Sequence, residues 1–152
     1  MQKLLLILIL LFLFPLVSLS QKGKQPKNYI SIGLLDSKTG FSAIGYTRSI
    51  LQNKNNELFI GFGTMLALNT VVAGYKKYLF RSFIDGYSVI SIQNIFGLAG
   101  DSDAACLSIG LEKKIWKVLF INAGGNIHVI EDESFLDGNV LAFPFLNINI
   151  RF

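Results

Sequence analysis

The sequence predicts an all-β chain: an eight-stranded antiparallel up-and-down β-barrel after an N-terminal export segment. Three observations carry this reading. From Tyr29 to Phe152 apolar residues recur with period 2, the spacing of a strand with two unlike faces. Gly and Asn interrupt the pattern so often that no dozen residues keep a helical period without a glycine inside it. The face opposite the apolar one is built of Gly, Ser, Asn and Ala, which suits the cramped interior of a narrow barrel.

The first twenty residues stand apart. Lys3 precedes an unbroken apolar run, LLLILILLFLF at 4–14, and Pro15 and Ser18-Leu19-Ser20 follow it. This is the basic, apolar, small-residue layout of a secretory signal peptide, here 1–20, with cleavage expected near Ser20–Gln21. A retained anchor is the alternative, but Pro15 interrupts a run already shorter than the ~20 residues a spanning helix prefers. Residues 21–28, QKGKQPKN, form a polar, basic lead-in expected to be disordered. The barrel is expected over 29–152.

The 152 residues suffice for one domain. Half the chain (51%) is hydrophobic and only 16% is charged, well below the ~25% of soluble domains; either much apolar surface faces lipid or one segment skews the average, and the apolar run at 4–14 together with the strand pattern points to both. The formal charge of +4 becomes +3 once Lys3 is removed. No basic stripe of the kind that binds nucleic acid is present. The single cysteine, Cys106, excludes a disulfide framework within the chain and reads as a small strand residue.

Strands are expected near 29–35, 40–50, 56–66, 69–79, 82–97, 104–113, 117–128 and 140–152. In the first, Ile30, Ile32 and Leu34 share a face opposite Ser31 and Gly33; in the last, Leu146, Ile148, Ile150 and Phe152 oppose Asn147, Asn149 and Arg151. Leu107, Ile109 and Leu111 alternate with Ser108, Gly110 and Glu112. Arg48, Asp85, Glu112 and Arg151 are the charges assigned to the small-residue face, with Phe59 and Phe120 as its aromatic exceptions. A soluble barrel would carry abundant Lys and Glu on its polar face. The sparse charge here places the small face inside and the apolar face against lipid.

The connections sort by charge. One end of the barrel receives 36–39, 66–68, 98–103 and 129–139, which together carry Asp36, Asp101, Asp103, Glu131, Asp132, Glu133 and Asp137. The other end receives 52–56, 80–82 and 113–117, with Lys54, Arg81, Lys113, Lys114 and Lys117. The tyrosines near strand ends (Tyr29, Tyr75, Tyr78) and Trp116 fit an interfacial girdle.

The closing run from Phe143 through Leu146, Ile148 and Ile150 to Phe152 resembles the C-terminal strand of bacterial outer-membrane barrels, which alternates and ends in an aromatic residue. Length and strand count are similar to those of the small OmpX/OmpA-type barrel domains. The resemblance implies location in the outer membrane, contact with its lipid, and recognition of the strand ending at Phe152 by the barrel assembly machinery.

Chemistry-bearing residues are few. His128 is the only histidine. Lipid A deacylase barrels place a serine two residues after their histidine; here that position is Ile130. The cluster Glu131-Asp132-Glu133 with Asp137 offers oxygen ligands to a hard cation but lacks the spacing of a calcium loop. Gly61-Phe62-Gly63 and Gly124-Gly125 sit at no strand-to-helix turn, which excludes a phosphate cradle. No catalytic, cofactor or metal residue is assigned. Three functions stay open: a non-enzymatic outer-membrane barrel with a side-chain-filled lumen; a soluble, exported, lipocalin-like barrel holding an apolar ligand; and a lipid-modifying membrane enzyme using His128.

Overall fold

A computed structural model describes residues 26–98, 100–130 and 140–152. The expected signal segment and the acidic residues Glu131, Asp132, Glu133 and Asp137 lie outside these. The chain forms eight antiparallel strands: β1 (Asn28–Leu34), β2 (Ile44–Gln52), β3 (Asn56–Met65), β4 (Leu68–Phe80), β5 (Asp85–Gly97), β6 (Gly100–Lys114), β7 (Leu119–Ile130) and β8 (Val140–Arg151). Each pairs with its sequence neighbour, and β8 closes on β1, so the sheet is a closed barrel without free edges. The closing seam runs from Leu34↔Leu146 to Tyr29↔Arg151, and Asn28 and Phe152 exchange backbone hydrogen bonds at its end.

The period-2 pattern sorts side chains as the sequence predicts. Ile32, Leu34, Ile60, Phe62, Ile90, Ile92, Leu107, Ile109, Leu111, Leu146 and Ile148 face outward and are exposed. Ser31, Thr47, Phe59, Val72, Ser91, Ser108, Asn122, Asn126, Asn147 and Asn149 face inward and are buried. Phe59 fits because β4 offers Gly74 beside it: a Cβ there would lie 2.7 Å from the ring.

Three local expectations are corrected. Residues 40–43 lie outside β2, which begins at Ile44: residues 40–42 belong to an inward-folded segment described below, and Ala43 joins it to the wall through backbone bonds to Gly33 and Thr64. The connection expected over 98–103 is mostly strand. β6 starts at Gly100, paired with Gly97, with Ser102 pointing inward and Asp103 outward, where it accepts a hydrogen bond from Asn94 Nδ2 at 2.9 Å. Arg48 faces outward, not inward: Ser49 donates a short hydrogen bond to Glu57 inside the barrel, and alternation then turns Arg48 out.

The two ends of the barrel differ. One end gathers the turns 53–55, 81–84 and 115–118 and the Asn28–Phe152 pair; Lys54, Arg81, Lys114 and Lys117 are exposed there. The opposite end has the two-residue turn Leu66–Ala67 and the β5–β6 turn at Leu98, with Asp101 and Asp103 exposed beside it. Asp36, expected among the acids of that second end, lies in the lumen.

Candidate functional site

The connection between β1 and β2 is a plug. It leaves β1 at Leu35, whose φ of 57° turns the chain inward, and every residue from Leu35 to Ser42 is buried. Asp36 and Gly40 exchange backbone hydrogen bonds of 3.0 and 2.8 Å, with Gly40 at φ 66° closing the turn. The Asp36 carboxylate organises the segment. It accepts from the Lys38 N–H and the Thr39 hydroxyl, each at 3.2 Å, and from Asn147 Nδ2 across the lumen at 3.2 Å.

The wall holds the plug from several sides. Tyr87 OH and Ser37 Oγ are 3.3 Å apart, and Thr70 donates a short hydrogen bond to the Thr39 carbonyl. Lys38 runs on down the lumen. Its Nζ donates to Glu57 at 2.6 Å and lies 4.0 Å from the centre of the Tyr29 ring. The Gly61-Phe62-Gly63 pattern now has a cause. A Cβ at Gly61 would stand 2.6 Å from the Lys38 carbonyl oxygen, and one at Gly63 would stand 2.8 Å from the Thr39 carbonyl oxygen. These glycines make room for the plug backbone.

Below the plug lies an ion network. Glu112 accepts from Lys76 Nζ at 2.9 Å, from Tyr78 OH at 2.8 Å and from Arg151 in a short contact. Lys76 Nζ also sits 3.8 Å from the Tyr87 ring centre, and the Arg151 guanidinium stacks 3.6 Å from that of Phe120. The described lumen thus balances Asp36, Glu57 and Glu112 against Lys38, Lys76 and Arg151. Glu112 and Arg151 are where the sequence places them. Asp85, the fourth charge assigned to the small face, sits at the rim, accepting from the Ser82 N–H at 3.1 Å. Lys38, Lys76 and Glu57 escaped the sequence reading. Lys76 had a signal, since it shares alternation with Val72, Gly74 and Tyr78.

Cys106 and His128 face each other across β6 and β7 inside the lumen, with Sγ 3.7 Å from Nε2. Both are buried, at 3% and 0% exposure. Phe41 of the plug covers the imidazole with ring centroids 4.5 Å apart, and Phe143 packs edge-on against Phe41. His128 Nδ1 and both polar atoms of the Asn126 amide have no protein partner among the described residues. A thiol and an imidazole at this distance are the pieces of a nucleophile–base pair. Both side chains lie inside the lumen beside Phe41, and His128 faces away from the outer wall. Ile130, two residues on, also points inward. Among the described residues no group of three or more His, Cys, Asp or Glu side chains is placed to hold a metal ion.

The other candidate surface is the outer wall. On β6 the outward sequence reads Asp101, Asp103, then Ala105, Leu107, Ile109, Leu111, then Lys113. At ~3.3 Å rise and ~40° tilt the apolar stretch from Ala105 to Leu111 covers roughly 18 Å, and the charges that bound it, Asp103 and Lys113, stand roughly 25 Å apart along the barrel axis, the height of the apolar band of a membrane barrel. Outward polar residues elsewhere, such as Thr64, Asn69, Lys77 and Asn94, likewise keep toward strand ends, whereas Arg48 stands mid-β2, opposite Asn28 where β1 begins. Shallow hollows interrupt the wall where outward residues are small, at Ala73 and Ala105 beside Ile92 and at Gly125, Ala142 and Pro144.

No family model, no characterised protein and no solved structure matches the chain.

Proposed function

We propose that this chain is an integral barrel of the bacterial outer membrane, exported by a cleaved signal peptide, with a sealed lumen and a structural or interaction role rather than a catalytic one. One observation carries the reading. The closed wall presents mainly apolar side chains outward, while charged, amide and hydroxyl side chains fill the inside together with an apolar cluster that includes Phe41, Phe59, Val72, Val89, Ile95 and Phe145. Soluble monomers rarely expose contiguous apolar patches beyond a few hundred Å². A lipocalin-like carrier needs the reverse arrangement, an apolar cavity inside a polar wall, and so finds no support here. The lipid-modifying reading loses its support with the inward direction of His128.

The charge asymmetry favours one orientation: the Lys- and Arg-bearing turns and the β1–β8 seam in the periplasm, Asp101 and Asp103 outside. The resemblance to OmpX/OmpA-type barrels and recognition of the β8 strand by the assembly machinery belong to the same proposal. Fractionation tests it. The full chain is expected in the detergent-soluble membrane fraction, migrating faster on a denaturing gel before boiling than after. Recovery in the detergent-free periplasmic fraction would overturn it.

A further inference from the structure

One sector of the basic rim has a composition that neither water nor hydrocarbon explains. The turns joining β4 to β5 and β6 to β7 expose Phe80, Phe83, Ile115, Trp116 and Val118, with Phe83 at 78% and Trp116 at 71%. The same sector carries Lys77, Arg81, Lys113, Lys114 and Lys117. Asp85, its one acid among the described residues, is already engaged by the Ser82 N–H and lies 4.0 Å from Arg81. The two turns are tied together, since Lys113 Nζ sits 4.0 Å from the centre of the Phe83 ring. The other half of this rim differs. Its turn, Asn53-Lys54-Asn55, has no aromatic residue, and its exposed cations there are Lys27, Arg48 and Lys54.

Directly inward of the basic sector, the outer wall has a hollow. Leu79, Phe80, Gly86, Ile109, Leu111 and Ala123 line it. The hollow exists because Gly86 and Ala123 are small and the Phe80 ring lies flat against Gly86. On β6 the outward order is Ile109, Leu111, Lys113, so the apolar hollow leads straight to a cation; Arg81 follows Leu79 and Phe80 in the adjoining turn, its guanidinium 3.8 Å from the centre of the Tyr78 ring at the barrel's rim.

We propose that this sector is a binding site for an anionic phospholipid of the leaflet surrounding the basic end. Its phosphate is held between Arg81 and Lys113 within the field of Lys114 and Lys117, and one acyl chain lies in the hollow. The inference rests on the membrane reading above and adds the lipid class and the place. Aromatic side chains sit at headgroup level in bilayers, and each basic side chain near an anionic headgroup favours its occupancy roughly fivefold.

The test uses full-length protein in nanodiscs of equimolar dioleoyl-phosphatidylglycerol and dioleoyl-phosphatidylcholine. Lipid retained after detergent extraction is counted by native mass spectrometry. The expected result is a five- to tenfold excess of phosphatidylglycerol over phosphatidylcholine. It should fall to near parity in Arg81→Gln/Lys113→Gln and persist in Arg48→Gln/Lys54→Gln, which removes the same charge from the opposite half of the rim. Lys113→Arg should keep it. Heat-modifiable migration of every variant confirms that each is folded. Parity in the wild type, or equal loss from both double variants, overturns the site while leaving the membrane reading intact. Failure of the wild-type protein to enter any nanodisc overturns both.

Discussion

At the scale of single residues, Glu112 is the anion on which the lower lumen network converges. It stands on β6 and joins Lys76 of β4, Tyr78 of β4 and Arg151 of β8 across the interior. Buried charges are tolerated only when paired, and removing one partner of such a pair costs about 3–5 kcal/mol because the other is stranded. Glu112→Gln leaves Lys76 and Arg151 facing each other without an anion. The expected outcome is a loss of about 3–5 kcal/mol, read from the urea midpoint of the protein refolded in detergent micelles. Replacing the set together, as Lys76→Met/Glu112→Leu/Arg151→Met, is expected to recover most of it, since well-packed apolar groups substitute for a buried ionic cluster at little or no cost. A triple variant weaker than Glu112→Gln would mean that the network holds something more than charge balance. Lys76 illustrates what a sequence conceals: beside Lys77 it reads as half of a solvated pair, and only the alternation of Val72, Gly74 and Tyr78 separates the inward lysine from the outward one.

At the scale of elements, the strands were legible and the plug was not. The eight expected segments coincide with β1–β8 to within a few residues because the outward and inward faces of the wall carry unlike residues at every second position. The β1–β2 segment carries no such period. Asp36-Ser37-Lys38-Thr39-Gly40 has the composition of a solvent-exposed turn, and a polar lumen selects the same residues as water does. Only the partners reveal the difference: Asn147, Tyr87, Thr70 and Glu57 on four separate strands. The Gly61-Phe62-Gly63 pattern was the trace of the plug in the sequence, legible as a crowded interior but not as what crowded it. Accessibility to a membrane-impermeant thiol reagent checks the placement. In a Cys106→Ser background, Ser37→Cys is expected to label at least a hundredfold more slowly than Leu98→Cys at the exposed turn on the same end. Adding Gly61→Val, whose side chain takes the space of the Lys38 carbonyl, is expected to displace the segment and raise the Ser37→Cys rate by tenfold or more. Equal rates for Ser37→Cys and Leu98→Cys in the unaltered barrel would place the segment outside the lumen.

At the scale of the whole molecule, apolar side chains cover the outside of the wall while paired charges lie within it, and that arrangement makes its own test. In water an outward lysine on this wall replaces exposed apolar surface and helps solubility. In a bilayer the same substitution carries a charge into hydrocarbon, at a cost that depends on depth. Ile90 lies near the middle of β5, flanked outward by Tyr75 of β4 and Leu107 of β6. Phe83 belongs to the turn at the basic end, beside Lys113. The depth profile of membrane barrels assigns Ile90→Lys a loss of about 2–4 kcal/mol and Phe83→Lys a loss of about 0–1 kcal/mol. Both should be measured by urea titration of protein refolded into phosphatidylcholine vesicles, with Leu98→Lys at the opposite end as a second shallow site. The signature is the order: a large loss at Ile90 between two small ones. Shape and strand order alone cannot produce it, because all three side chains are exposed in the isolated barrel, Leu98 and Phe83 more so than Ile90. Losses that instead follow exposure, or an Ile90→Lys variant as stable as the parent, would mean that the apolar wall is covered by something other than lipid.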